Sequence, residues 1–282
     1  MSAAPVKRRR TDRERVLKPV RPNHGLQLEY QHALEHWIDE MQDSVLYWVR
    51  AKFKQNEPVI VAEDELPATA MRRAVGRLSR RWQRNFGEAA PKLADWFADA
   101  ATERSDKQLQ KILRDGGFSV RFKMTRAQRD IVNATTNANV GLIKSIPQQY
   151  LGQVEGAVMR SIQAGRDLHQ LTKDIEDIYG VTRRRAELIA RDQNNKATSA
   201  MNQARLIELK LYEASWMHSL GGKEPRPTHL AAGRRKQIFD VRIGWYDPQA
   251  IRKKGGSYEG RFIQPGELIN CKCGCRPILP GV

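Results

Sequence analysis

The sequence predicts a mainly α protein: an elongated helical N-terminal and central body, followed by a small α+β C-terminal module. Two observations carry this. From Leu26 to about Leu211, apolar residues recur every three or four positions, the spacing of one helix face. After Ala214 that period gives way to alternation by two, to Gly-Gly and Pro-Gly breaks, and to all three cysteines of the chain within five residues, Cys271, Cys273 and Cys275. The chain of 282 residues, 40% hydrophobic and with six tryptophans, can bury one large core or two modest ones. That composition excludes a disordered polymer.

Residues 1–22 are expected to be a disordered basic arm. Lys7, Arg8, Arg9, Arg10, Arg13, Arg15, Lys18 and Arg21 face only Asp12 and Glu14, and Pro5, Pro19 and Pro22 oppose a regular helix. Such an arm binds phosphate through counterion release, without sequence preference. The plain alternative is a solvated tail with no dedicated partner. No apolar stretch follows the basic cluster, so no secretory signal is expected. No apolar run approaches the ~20 residues of a membrane span, and no membrane partner is expected.

Residues 23–124 read as an N-terminal helical region. Asn23 is a suitable N-cap for a helix from Leu26 to Phe53 whose apolar face runs through Tyr30, Ala33/Leu34, Trp37/Ile38, Met41, Val45 and Trp48/Val49. A second helix is predicted from Pro67 to Phe86, a third from near Pro91, and a fourth capped by Ser105-Asp106 and ending at Gly116-Gly117. The aromatic stripe along them reads as core. His32 and His36, four apart with no third ligand near, read as a polar helix face. Phe118–Met124 alternates and reads as a strand or an extended connector, the seam to the next region.

Residues 125–213 read as a central helical region. Thr125 caps a helix that Pro147 interrupts or restarts. Further on, one helix is predicted to end at Tyr179, with Gly180 as its stop and Thr182 capping the next. This pattern is similar to a helix-hairpin-helix unit whose first turn carries Arg183, Arg184 and Arg185. Those arginines, with Lys7, Arg8, Arg9 and Arg10 of the arm, are the candidate DNA-binding residues. The alternative is a simple helical hairpin with a basic first turn.

Residues 214–282 form the small module. Ser215–Leu220 alternates large and small side chains and suits a half-buried strand. Gly221-Gly222 breaks it, and Pro225 and Pro227 hold Arg226 extended, placing Arg226 and His229 on a bent, non-helical loop. Pro265-Gly266 is a turn signal, followed by Glu267, Asn270, Cys271 and Cys273. Cysteines two apart on a strand lie roughly 7 Å apart, beyond the ~6.8 Å limit for a comfortable disulfide. They reach a common zinc ion only if the strand curls, with His229 as third ligand. The metal candidates are therefore His229, Cys271 and Cys273, around a structural zinc. The alternative is a cluster of thiols packing a sheet end, with His229 bonded to the backbone. No Cys-x2-Cys spacing occurs, and no other cofactor is indicated.

Arg226-x-x-His229, then Pro265-Gly266-Glu267 and Asn270-Cys271-Lys272-Cys273, resemble the signature of the phage Mu F-like minor head proteins. These lie within the wider head-morphogenesis family of tailed bacteriophages. Lys272 stands where the signature usually has arginine, which keeps the charge and loses the bidentate fork. Cys275 is a thiol the signature does not require. The stretch beginning at Arg183 and the opening stretch Val20–Met41 are also similar to such proteins, so the likeness covers nearly the whole chain.

The resemblance implies a virion protein rather than an enzyme: a minor capsid component acting in procapsid assembly at or near the portal. Its implied partners are portal and/or major capsid or scaffold proteins, with non-specific contact to packaged double-stranded DNA. Its implied place is the head interior or portal vertex, after assembly in the host bacterial cytoplasm. A formal net charge of +17 agrees with a nucleic-acid partner. In this reading Arg226 and His229 pin the Gly-Gly loop against Asn270 and Cys271, a fastening suited to an asparagine that both donates and accepts.

Enzymatic signatures are missing from the sequence: no phosphate-binding Gly-x4-Gly-Lys-Ser/Thr, no His-Glu-x-x-His, no Gly-x-Ser-x-Gly. Asp240, Asp247, Glu259 and Glu267 can be drawn around His229 as a metal-dependent nuclease or hydrolase, though nothing in their spacing demands it. Cys271 and His229 can be drawn as nucleophile and base, without a recognisable third group. Some relatives carry fused toxin or transferase domains, and none is expected in the five residues that follow Pro277. A stand-alone non-specific DNA-binding protein and a metal-dependent hydrolase therefore remain as alternatives.

Overall fold

A two-residue strand, β1 (Arg15–Val16), precedes four long helices: α1 (His24–Gln55), α2 (Pro67–Asp115), α3 (Arg126–Gln163) and α4 (Leu168–Glu208). Then come β2 (Glu213–Met217), the short helix α5 (Pro227–Arg234), β3 (Ile238–Asp240), β4 (Trp245–Arg252), β5 (Tyr258–Ile263) and β6 (Gly274–Leu279). The structure, a computed structural model, describes residues 15–55, 67–164, 167–221 and 224–280. Lys7, Arg8, Arg9 and Arg10 lie outside the described residues. The mainly α class with a small C-terminal α+β region is as the sequence predicts.

Helices α1 and α3 begin where the sequence places their caps. Asn23 immediately precedes α1, and the Thr125 Oγ1 accepts the Gln128 N–H at 3.3 Å ahead of α3. At the end of α2, Gly117 takes φ +93° and the Phe118 N–H bonds the Leu113 carbonyl at 2.9 Å, the 6→1 closure of a helix C-terminus. Residues 118–125 then form an extended connector without strand pairing.

Three expected breaks do not occur. Neither Pro91 nor Ser105-Asp106 starts a new helix, because α2 runs unbroken for 49 residues with Pro91 inside it. Pro147 likewise lies within α3. A proline costs an interior helix roughly 3 kcal/mol, whereas Ala90, Ala94 and Phe97, flanking Pro91, are all fully buried and hold the same face to the core. The helical hairpin at Gly180 is also absent, since α4 continues through it for 41 residues. Thr182 is no cap: its Oγ1 donates back to the Ile178 carbonyl at 2.9 Å, as a mid-helix threonine does.

The chain divides into two compact units. The helical unit comprises residues 24–100 and 132–193. Its core begins with Leu26, Tyr30, Leu34, Ile38, Met41, Val45, Val49 and Phe53 of α1, spaced by three or four and none more than 4% exposed. Tyr30 stacks on Phe97 with centroids 4.4 Å apart and donates its hydroxyl to Asn139 Oδ1 at 2.8 Å. The Tyr150 hydroxyl meets Gln42. Burial raises the pKa of both tyrosines, so both remain donors.

The mixed unit comprises, of the described residues, 15–23, 101–131 and 194–280. It holds a four-stranded antiparallel sheet in the order β1-β6-β2-β3 and a separate hairpin of β4 with β5. Register pairs Arg15 with Leu279, Trp216 with Cys275, and Ala214 with Phe239. Leu17, Leu109, Ile112, Leu113, Leu206, Trp216, Phe239 and Ile263 share one core. Arg205, 2% exposed, is tied to both carboxylate oxygens of Asp106 at 2.8 and 2.6 Å, to Glu208 at 2.8 Å and to the Lys123 carbonyl at 2.8 Å. Its guanidinium also lies 4.4 Å from the centroid of Phe122. Such a buried pair fixes the end of α4 in register more than it adds net stability.

Candidate functional site

In the mixed unit, the motif residues converge where α5 packs against the C-terminal turns. Pro227 opens α5 at its first position, with Arg226 as the extended residue before it (φ −60°, ψ 127°). The extended Arg226 is as expected, but His229 lies on a helix, not on a loop. The fixed φ of Pro227 preorganises a helical turn that the residue pattern does not announce. Gly233, one turn beyond His229, is required by close approach: a Cβ there would stand 2.5 Å from His218 Cβ and 2.9 Å from its backbone nitrogen.

The opposing wall is the segment between β5 and β6. The Gln264 N–H donates to Glu267 at 2.8 Å, and Glu267 also pairs with Arg261 at 2.6 Å. Gly266 has φ +86°, and the Ser199 hydroxyl bonds the Pro265 carbonyl. Asn270 adopts φ +59°, a left-handed conformation that asparagine tolerates better than most residues. Cys271 and Cys273 therefore precede β6 on a curled segment rather than sitting on the strand itself. Two side chains fasten this wall from outside: Arg226 Nη2 donates to the Ile269 carbonyl at 2.9 Å, and Lys272 Nζ to the Gly221 carbonyl at 2.9 Å. From inside, Asn195 Nδ2 donates to the Cys271 carbonyl at 3.2 Å.

His229 is the hub. It is 2% exposed, with ring centroids 5.1 Å from Trp216 and 6.2 Å from Trp245. Its Nε2 lies 3.1 Å from Oδ2 of Asp247, which is fully buried. The other oxygen of Asp247 accepts the Gln249 N–H at 2.9 Å. With Nε2–H held by the carboxylate, Nδ1 turns its lone pair to Cys271 Sγ at 3.5 Å and Cys273 Sγ at 3.6 Å.

The two thiols are linked to each other. A hydrogen bond from Cys273 lowers the Cys271 pKa, against the opposing effect of burial. The same contact, with burial, pushes Cys273 up. Cys275 stands apart, facing Asn202 Nδ2 at 3.5 Å, and burial pushes its thiol up to about 12.

Of the four acids drawn around His229, the structure brings only Asp247 to it. Asp240 pairs with Arg242, Glu259 with Lys253 and Glu267 with Arg261. Asp247 is the site residue that sequence reasoning left unselected; it lies 18 positions from His229 and no local spacing marks it. The candidate DNA-binding arginines separate. Arg183 is engaged inside the helical unit with Glu35 at 2.7 Å and Asp39 at 3.2 Å, and Arg185 bonds Ser145 at 2.7 Å; Arg184 is exposed. A basic rim that the sequence did not single out, Arg234, Arg235, Lys236 and Arg276, borders a hollow of about 550 Å³ on the mixed unit.

Among the described residues, no helix is long and apolar enough to cross a membrane. The chain is 26% identical over 272 residues, 95% of its length, to an uncharacterized protein of Haemophilus influenzae (strain ATCC 51907 / DSM 11121 / KW20 / Rd). It spans 56% of the length of that relative. No solved structure matches the chain. Residues 152–276 match the family described as Phage Mu protein F like protein, a span that takes in Arg226, His229, Asp247, Cys271 and Cys273. Over residues 152–276, then, the chain is similar to the phage Mu F-like proteins.

Proposed function

We propose that this protein is a minor head component of a tailed bacteriophage, acting in head assembly without catalysing a reaction. The observation that carries the proposal is the motif itself. Within the family-matched residues, Arg226, His229, Cys271 and Cys273 are spent on one another, on Asp247 and on backbone carbonyls, in a closed fastening. Cys271, His229 and Asp247 are 3%, 2% and 0% exposed, so the motif is largely taken up in the interior of the module. Portal and capsid or scaffold subunits are the proposed protein partners, and the head interior or portal vertex the proposed location. The positive charge of +17 suits non-specific contact with packaged DNA.

One observation favours a second reading. Asp247, His229 and Cys271 lie in a row, the order of orienter, base and thiol nucleophile. Hydrolysis would require the module to open and expose the sulfur. Purified heads separate the two readings. Under the structural one, mass spectrometry of particles finds the polypeptide at fixed, low stoichiometry, and it co-purifies with portal or capsid subunits. Heads that lack it, or turnover by the isolated protein that disappears in a folded Cys271→Ser variant, overturn that reading.

A further inference from the structure

Three ligand atoms in the mixed unit, His229 Nδ1, Cys271 Sγ and Cys273 Sγ, all lie within 4.8 Å of one another. Among the described residues this is the group of histidine, cysteine and carboxylate atoms arranged to hold a metal ion. Its dimensions are informative. Zinc binds thiolate at about 2.3 Å and imidazole at about 2.0–2.1 Å, so a tetrahedral N–Zn–S angle sets nitrogen and sulfur about 3.6 Å apart. The observed separations are 3.5 and 3.6 Å. That spacing lets one nitrogen and both sulfurs face a common ion, and it is also the spacing of ordinary N···S hydrogen bonds, so the case for the ion rests equally on what surrounds the three atoms.

The surroundings agree with a metal. Zinc-bound histidine ordinarily donates its other ring N–H to a carboxylate, which fixes the tautomer and turns the ligating lone pair to the ion. Asp247, fully buried and 3.1 Å from His229 Nε2, occupies that place. The fastening bonds from Arg226 and Lys272 hold the curled segment from outside, so the sulfurs are preorganised. The donor set also suits zinc: two thiolates and an imidazole favour a borderline-soft ion over magnesium or calcium. A small hollow of about 50 Å³, lined by His229, Cys271, Cys273, His218 and Glu224, adjoins the three ligands and has room for a single water.

We propose that His229, Cys271 and Cys273 bind one zinc ion with a water at the fourth corner, and that the ion clamps the segment before β6 onto α5. The ion takes both sulfurs as thiolates, so the thiol protons they carry are released to solvent on binding. The site does not depend on the head-assembly role; a metal-free protein in heads, or a zinc protein absent from them, separates the two claims.

The test uses the full chain, purified under reducing conditions without chelator. Metal analysis should find about one zinc per chain, and replacement by cobalt(II) should give the intense near-ultraviolet band of thiolate-to-cobalt charge transfer. Cys273→Ser should lose most of that band, while Cys275→Ser should retain it. Asp247→Asn keeps all three ligands and should weaken affinity about 10–100-fold, an expectation that holds the proposal open to refutation if Cys273→Ser fails to fold. Absence of both zinc and the cobalt band in the reduced wild-type chain overturns the site. So does undiminished binding by a Cys271→Ser/Cys273→Ser double variant.

Discussion

At Gly233 a single hydrogen atom in place of a side chain sets how closely α5 can approach β2. The Cβ of an alanine would press on His218 Cβ at 2.5 Å and on its backbone nitrogen at 2.9 Å, neither of which is the free end of a flexible chain. Gly233→Ala must therefore move α5 or the end of β2, and overpacking of this kind costs about 1–3 kcal/mol. The helix propensity of alanine, favourable by about 1 kcal/mol over glycine, offsets only part of that. The expected outcome is a lower thermal midpoint with unchanged helix content; a midpoint equal to wild type would mean that α5 is not docked this closely. The motif's cysteines, histidine and arginine were legible as a set because their residue types are chemically unusual together. Asp247 was not, because its partner is 18 residues away across α5, β3 and the start of β4, and only the fold brings Oδ2 to Nε2.

Among the elements, the four long helices show where local signals yield to packing. The apolar period of α1 predicts the line of its buried face from Leu26 to Phe53, although Trp48, counted on that face, is exposed. What local chemistry misjudged was continuity: Pro91, Pro147 and Gly180 each suggest a break, and each sits inside a helix whose buried face continues on both sides. A proline signal is local and bounded in cost, whereas a continuous apolar face gains about 25 cal/mol for every Å² it buries. Pro91 offers a clean measurement because it is exposed. Pro91→Ala restores a backbone N–H to α2 and removes the ring clash, while the unfolded chain gains about 1 kcal/mol of conformational freedom. The net effect should be stabilising by about 1–2 kcal/mol in denaturant unfolding. A destabilised variant would show that the helix bends at Pro91 in a way the core requires.

For the molecule as a whole, the charge of +17 must be spread over surfaces that do different work. Arg183 and Arg205 are already committed to carboxylates within their own units, so they contribute to stability rather than to a free basic surface. Among the basic residues proposed for phosphate are those of the arm, Lys7, Arg8, Arg9 and Arg10, and the exposed rim of Arg234, Arg235, Lys236 and Arg276. Contacts of this kind follow counterion release: each phosphate neutralised adds about 0.9 to the slope of log affinity against log salt on duplex DNA. Replacing the four arm residues by glutamine should therefore flatten the slope by up to about 3.6 and weaken binding to every duplex sequence alike. The same substitution of Arg234, Arg235 and Lys236 measures the share of the rim. A slope left unchanged by the arm variant removes the arm from DNA contact, and a loss confined to particular sequences would mean that bases, not phosphates, are being read.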